Sequence, residues 1–303
     1  MKRQELHAEK LLTWRRQQLA IGGRAVDLDW LLDLAGGLAW SALQQLYLDS
    51  NRPVELGESL EQLEKLWRRH LDDHVPLQHL IGRCPWRDIE LEVSPAALIP
   101  RQETELLVDF ALEDVKSKSK SKSKSSGRWA DLGTGSGALA VAMARALPRW
   151  RGHAVDCSQE ALMLASRNLQ RLAPSASWTV HCGSWWEPLQ PWWGSFDLVL
   201  ANPPYIPQAL LAQLEPVVRD HEPHLALSGG MDGLESCRQV IAGATKALGP
   251  GGLLLLEHHH DQSDAVLILM RDQGLTDVAF KFDLQGVRRF ALGRHPVSLP
   301  LPG

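Results

Sequence analysis

Arg128-Trp129-Ala130-Asp131-Leu132-Gly133-Thr134-Gly135-Ser136-Gly137 is the stretch on which the architecture turns. Its first five residues read as a strand, and Ala138 to Leu147 continues as an apolar-rich helix. Between them three glycines in five positions let the backbone bend sharply and come close to a ligand. Strand, glycine loop and helix open an alternating series. A second strand, Gly152 to Asp156, is followed by a helix from Ser158 to about Leu172. Ser177 to Cys182 and Phe196 to Ala201 supply two further strands. A helix over Asp232 to Leu248, a strand over Leu253 to His258 and a helix over Asp261 to Gln273 follow. Val278–Phe282 and Val287–Leu292 close the sheet as a hairpin. Alternation of this kind predicts an α/β fold with a doubly wound, Rossmann-like and mostly parallel sheet. Ligands of such sheets sit beyond the carboxyl ends of the strands. Gly133, Asp156, Ser184 and Asn202 all fall there.

Upstream, residues from about Gln4 to Asp73 read as a small helical bundle. Its apolar stripes are Leu11, Leu12, Trp14 and Leu19, then Trp30, Leu31, Leu34 and Leu38, then Leu60, Leu63, Leu66, Trp67 and Leu71. Pro76 to Pro100 changes character. Ile89-Glu90-Leu91-Glu92-Val93 alternates with period two, which predicts a β-hairpin between two domains. A helix is expected to start near Gln102, and the polar cluster there, Arg101, Glu103, Thr104 and Glu105, suits either simple capping or the lining of an active site. Lys116 to Ser126 alternates Lys with Ser, has no apolar residue to bury and is expected to be a disordered insertion. The expected domains are therefore 1–75 (helical recognition domain), 76–100 (hairpin linker), 101–295 (the doubly wound domain) and 296–303 (a tail).

Composition narrows the function. Hydrophobic residues make up 44% and charged residues 22% of 303, as in globular proteins. Net charge is -4, and -9 without the five lysines of the Lys-Ser run, so direct nucleic-acid binding is not expected. Met1-Lys2-Arg3-Gln4-Glu5 lacks the apolar core of a signal peptide and no apolar run is long enough to span a bilayer; a cytoplasmic location without membrane association is expected. Cys84, Cys157, Cys182 and Cys237 form no C-x-x-C pair, which points to free thiols. His258-His259-His260 alternate across a strand and cannot converge, so no metal is expected.

Asn202-Pro203-Pro204-Tyr205 carries the chemistry. It follows a buried strand, and its two prolines give a stiff backbone that offers carbonyls and few donors. Asn202 adds an amide oxygen and Tyr205 a flat ring. Together they suit a planar NH2 group. The motif resembles that of methyltransferases that methylate a planar nitrogen from S-adenosylmethionine, either a glutamine amide or the exocyclic amine of adenine. The glycine loop alone does not choose a cofactor. Gly133, Gly135 and Ala138 also satisfy a relaxed dinucleotide pattern, and Asp156 suits the ribose diol of either S-adenosylmethionine or NAD. Trp185 is placed to stack on adenine, with Trp186 the alternative one residue on. Ser184 stands where many such enzymes carry an acid for the adenine amine.

The chain as a whole resembles the peptide chain release factor N5-glutamine methyltransferases, the PrmC/HemK family. The likeness rests on Pro76 to Gly82, Leu98 to Glu105, Asp131 to Gly137, Asn202 to Tyr205, Arg219 to Pro223 and Leu254 to His258. His79 stands where the family usually has Tyr, and Gln102 where it often has Pro. The resemblance implies a class I methyltransferase sheet and, as substrate, the glutamine of the Gly-Gly-Gln motif in class I release factors. It implies that Gly133, Thr134, Gly135, Ser136, Gly137, Asp156, Trp185 and Asn202 contact S-adenosylmethionine. Asn202, Pro203, Pro204 and Tyr205 would hold the glutamine. Three other readings are weighed beside it: an adenine N6-methyltransferase on DNA or RNA, an NAD-dependent oxidoreductase, and a non-catalytic S-adenosylmethionine-binding protein.

Overall fold

The computed structural model describes residues 4–49, 51–119 and 126–297. In chain order the elements are β1 (Gln4–His7), α1 (Ala8–Ile21), α2 (Ala25–Leu34), α3 (Trp40–Leu46), β2 (Pro53–Leu56), α4 (Leu60–Asp72) and α5 (Leu77–Ile81). Then come β3 (Arg83–Trp86), β4 (Ile89–Glu92), α6 (Glu105–Ser119), β5 (Arg128–Leu132), α7 (Ala138–Ala146), β6 (Arg151–Asp156), α8 (Gln159–Leu172), β7 (Ser177–Cys182) and β8 (Phe196–Ala201). The one-turn α9 (Pro216–Arg219), α10 (Glu235–Ala247), β9 (Leu248–Glu257), α11 (Ser263–Asp272), β10 (Thr276–Phe282) and β11 (Arg288–Arg294) complete the chain.

These elements form two compact units. One comprises Met1–Arg83 with Glu215–His221, the other Cys84–Leu214 with Glu222–Gly303. The boundary at Arg83 falls inside the stretch expected as a hairpin linker, whose first part is the helix α5.

In the first unit the first and third expected stripes and Leu31 and Leu38 of the second pack into one core. Trp30 and Leu34 stay half-buried outside it, and Leu28 and Leu32 take the core face of α2 instead. Leu11, Leu28, Leu31, Leu32, Leu43, Leu63 and Trp67 are fully buried. The Ser59 side chain caps α4 by accepting from the Gln62 amide. The reading of Gln4 to Asp73 as helices needs one correction. β1 and β2 form an antiparallel pair, with Leu6 opposite Val54. Alternation in Pro53–Leu56 buries Val54 and Leu56 and exposes Pro53 and Glu55, a strand pattern too short to stand out in sequence.

In the second unit seven strands run in the order β10-β11-β9-β8-β5-β6-β7. β5 pairs in parallel with both β6 and β8, β6 with β7, and β8 with β9. β11 and β10 are added antiparallel at one edge. The central strands β5, β8 and β9 are largely apolar because both faces are covered, whereas the edge strands β7 and β10 bury no residue fully. Leu198, Leu200 and Leu255 enter one core with α6 and α7, while Val199, Ala201 and Leu254 enter the other with α10 and α11. The chain leaves β5 toward β6 on one side and returns to β8 on the other, so the sheet opens a crevice at the carboxyl ends of β5 and β8.

The Lys-Ser run also departs from expectation at its start. α6 continues through Lys116 and Lys118. Lys118 pairs at 3.0 Å with Asp114 one turn earlier and donates to the Gly251 carbonyl at 2.9 Å. Helical spacing thus gives that lysine a carboxylate to meet. Residues 120–125 of the run lie outside the described residues, as do 298–303 of the expected tail.

Candidate functional site

A cavity of about 620 Å3 lies at the carboxyl ends of β5, β6 and β8. Gly133, Thr134, Gly135 and Ser136 line it from the glycine loop, Asp156 from the end of β6, and Trp185 from beyond β7. Asn202 and Pro204 line it from the end of β8. Gly137, Pro203 and Tyr205 are not among its lining residues.

The loop holds its shape through backbone conformation and two carboxylates. Gly133, Gly135 and Gly137 have φ of 75°, 55° and 85°, values that side-chain-bearing residues seldom adopt. The Gly133 and Thr134 amides both donate to the Val155 carbonyl at 2.9 Å. Asp156 accepts from the Gly135 amide through Oδ2 and from the Ser158 amide through Oδ1, each at 2.9 Å, which ties the end of β6 to the loop. Gly137 faces α8 instead of the cavity. A Cβ there would lie 3.0 Å from the Ala165 Cα, so this glycine permits close helix packing.

Asp131 turns inward below the loop. Its Oδ2 accepts from the Thr134 hydroxyl at 2.7 Å and from the Ala140 amide at 3.1 Å. Its Oδ1 is buried without a protein partner. Burial is the main force raising this carboxyl to about 7, with the charge of Asp156 adding to it.

The two tryptophans after β7 divide their roles. Trp185, at φ 45°, lies against the loop, its ring 3.3 Å from where a Gly133 Cβ would stand. Trp186 is buried, donates its indole N–H to the Val240 carbonyl at 2.8 Å and packs on Gly243. The register with Trp185 at the cavity is the one that the structure adopts.

At the end of β8, Asn202 is half-buried and donates through Nδ2 to the Thr104 hydroxyl at 3.0 Å. Thr104 in turn donates to Glu257 Oε2 at 2.7 Å. Glu257 is 2% exposed, and burial is the main force raising its carboxyl to about 7. The backbone beyond Asn202 is anchored by Gln262, whose Nε2 donates to the carbonyls of Tyr205 at 2.9 Å and Gly233 at 3.2 Å. Burial also pushes the Tyr205 phenol upward, so it stays protonated.

Several residues that hold the site were not singled out for these roles in the sequence. Asn168, fully buried on α8, accepts from the Glu92 amide and donates to the carbonyls of Glu92 and Ser136, pinning the glycine loop to the β3–β4 hairpin. Its polar side chain at a core position of an otherwise apolar helix face was the available signal. Glu222 accepts from Arg101 at 2.5 Å and from the Ile99 amide at 3.2 Å, bracing the segment that leads to Thr104. Among the described residues, no three His, Cys, Asp or Glu side chains gather as a metal site, and no helix is long and apolar enough to cross a membrane.

A sequence profile of the methyltransferase small domain matches residues 112–232. The chain is 60% identical over 289 residues to a release factor glutamine methyltransferase of Prochlorococcus marinus, covering 95% of this chain and 97% of that protein. The chain belongs to the release factor glutamine methyltransferase family. A member from Gloeobacter violaceus is 42% identical, covering 92% of this chain and 95% of the relative. One from Synechocystis is 38% identical, with 93% and 94% covered. Family membership makes the protein an enzyme, a methyltransferase, and does not favour the oxidoreductase or non-catalytic readings. Among solved structures, the human Mettl16 catalytic domain in complex with a MAT2A 3′UTR hairpin superposes with a TM-score of 0.54 at 16% identity, covering 80% of this chain and 83% of that one. That likeness shows the shared fold.

Proposed function

We propose that this chain transfers a methyl group from S-adenosylmethionine to the side-chain amide nitrogen of the glutamine in the Gly-Gly-Gln motif of class I peptide chain release factors. The observation that carries the reading is the orientation of Asn202, given the family to which the chain belongs. Its NH2 is committed to Thr104, so its Oδ1 is the group left to accept a hydrogen bond at the cavity.

The cavity fits the methyl donor in one specific respect. The buried, unpartnered Asp131 Oδ1 suits a cation such as the ammonium of the methionine moiety. Asp156 keeps lone pairs for a ribose diol beside the two amides that it already serves, and the Trp185 ring offers a face for adenine. Gly133 to Ser136 allow the backbone to approach the ligand. When bound, S-adenosylmethionine supplies a methyl carbon on a positively charged sulfur leaving group.

The protein's part is orientation. An amide nitrogen is a poor nucleophile because its lone pair is shared with the carbonyl. Asn202 Oδ1 and the Pro203 carbonyl would accept its two protons and hold it in one plane, with Tyr205 and Pro204 bounding that plane. Positioning of this kind contributes up to roughly 7–11 kcal/mol to a barrier. No strong base is needed, because the alkylated nitrogen is acidic and gives up its proton readily. This reading places the enzyme in the cytoplasm, with release factors as partners.

The test is methyl transfer from labelled S-adenosylmethionine to a purified class I release factor, beside a factor with the motif glutamine replaced and an adenine-containing oligonucleotide. Label on the intact factor alone is expected. Label on the oligonucleotide alone would overturn the substrate and favour adenine N6 methylation.

A further inference from the structure

We propose that Thr104 and Glu257 act as positioning residues, a two-step relay that fixes which end of the Asn202 amide faces the acceptor and strengthens its oxygen as a hydrogen-bond acceptor. The proposal rests on the reading of Asn202 given above and extends it to two residues to which that reading assigns no role.

Three segments meet here. Asn202 follows β8, and Glu257 ends β9. These strands are parallel neighbours, with Ala201 opposite Leu256, so the amide and the carboxylate leave the sheet side by side. Thr104, in the turn before α6, comes between them and is only 6% exposed. A hydroxyl has one proton to give and lone pairs with which to accept. Here the proton goes to Glu257 Oε2 at 2.7 Å, so a lone pair is what Thr104 shows to Asn202. Only the NH2 end of the amide can meet a lone pair, at 3.0 Å, and Oδ1 must then point away. The reversed amide would offer an NH2 to the substrate's NH2, donor against donor.

The charge on Glu257 decides how firmly this is enforced. An ionised carboxylate demands the threonine proton and polarises the chain of bonds. A protonated one can donate to Thr104 instead, which frees the threonine O–H to turn toward Asn202. The titratable and charged groups facing Glu257 are Arg289 from β11, Glu103 from the turn before α6, and Tyr205 beyond β8. The Thr104 hydroxyl, Arg289 and, more weakly, a direct interaction with the Asn202 side chain favour the anion, although Arg289 is itself engaged by Asp283 at 2.7 Å, while Glu103 opposes it. Burial outweighs them, which leaves the carboxyl titrating at about 7.

Two measurements on the full chain test the relay. In methyl transfer to a release factor, Thr104→Val should lower kcat by about 10²-fold, the order seen for loss of one transition-state hydrogen bond. Its KM for the factor and its calorimetric affinity for S-adenosylmethionine should stay near wild type. Thr104→Ser should restore most of the loss. Wild-type kcat should fall on the acid side of about pH 7, and Glu257→Gln should lack that limb. Independently of turnover, selective 15N labelling leaves only three side-chain amides to assign, those of Asn51, Asn168 and Asn202. The Asn202 signal should titrate near pH 7 in the wild type, be flat in Glu257→Gln, and titrate with a smaller amplitude in Thr104→Val, where only the direct contact with Glu257 remains. Near-normal kcat in Thr104→Val, equal impairment in the Val and Ser variants, or a pH-independent Asn202 signal in the wild type would overturn the relay. A wild-type enzyme that transfers nothing to the factor would instead overturn the functional reading, and the amide titration would still decide the relay.

Discussion

Replacing Glu257 with Gln should stabilise the protein in a pH-dependent manner, and the sign follows from burial. At 2% exposure the carboxyl titrates at about 7 in the folded state, against 4.5 for an unburied glutamate. Below pH 4.5 both folded and unfolded states hold the proton and the residue is neutral in its effect. As pH rises from 4.5 toward 7, the unfolded chain releases its proton while the native state keeps it, so native stability falls. Above about 7 both states are ionised and the loss is complete. At about 1.4 kcal/mol for each pH unit, the wild type loses about 3 kcal/mol across this window. Gln keeps an oxygen for the Thr104 proton and has no charge to bury. Asp131 shifts in the same direction in both proteins and cancels in the difference. Urea unfolding of both proteins at several pH values would show curves that nearly coincide near pH 4 and differ by about 3 kcal/mol near pH 8, Gln being the more stable. A difference that stays constant over that range would refute the reasoning, since Glu257 would then be ionised throughout.

Other perturbations read different parts of the site. Asn202→Ala should reduce turnover by about 10² or more with S-adenosylmethionine affinity retained, checked by labelled-methyl kinetics and calorimetry. Trp185→Ala should weaken S-adenosylmethionine binding by about tenfold or more, in keeping with roughly 1–3 kcal/mol for a base stacked on an aromatic ring, checked by calorimetry on the folded variant. Asn168→Ala removes one partner each from the Glu92 amide, the Glu92 carbonyl and the Ser136 carbonyl, and should cost about 3 kcal/mol in denaturant unfolding.

The central strands were legible because burial on both faces demands apolar runs, as in Phe196–Ala201, while the edge strand Ser177–Cys182, half-exposed and mixed in composition, was legible from its place in the alternation; both span the residues that the reading gave them. Helix starts were less so. The helix expected from Asp232 begins at Glu235, because Gly233 takes a positive φ that breaks the first turn. The β1–β2 pair joins two four-residue strands that are far apart in the chain, Gln4 opposite Leu56 and His7 opposite Pro53, and a non-local pairing leaves no periodic trace. At the site, the loop glycines, Asp156, Trp185 and Asn202 could be found from their places after strands. Glu257 could have been found by the same rule, since it closes the run Leu253–Leu256 as Asn202 closes Phe196–Ala201. Thr104 was legible only as one of a polar cluster at a helix start that suited capping as well as the site; that its turn comes between the ends of two strands is shown by the folded chain alone.

The seven residues Glu215–His221 complete a unit whose remainder ended at Arg83, and the His221 ring meets the Asp73 carbonyl at 2.7 Å within it. On the ribosome the first 83 residues therefore emerge without their last piece, which follows only after most of the larger unit has been made. Evolution by swapping the front of the gene would transplant an incomplete unit and leave its closing segment behind. The segment begins shortly after Tyr205, so the proposed acceptor motif lies in the chain between the two pieces of the helical unit.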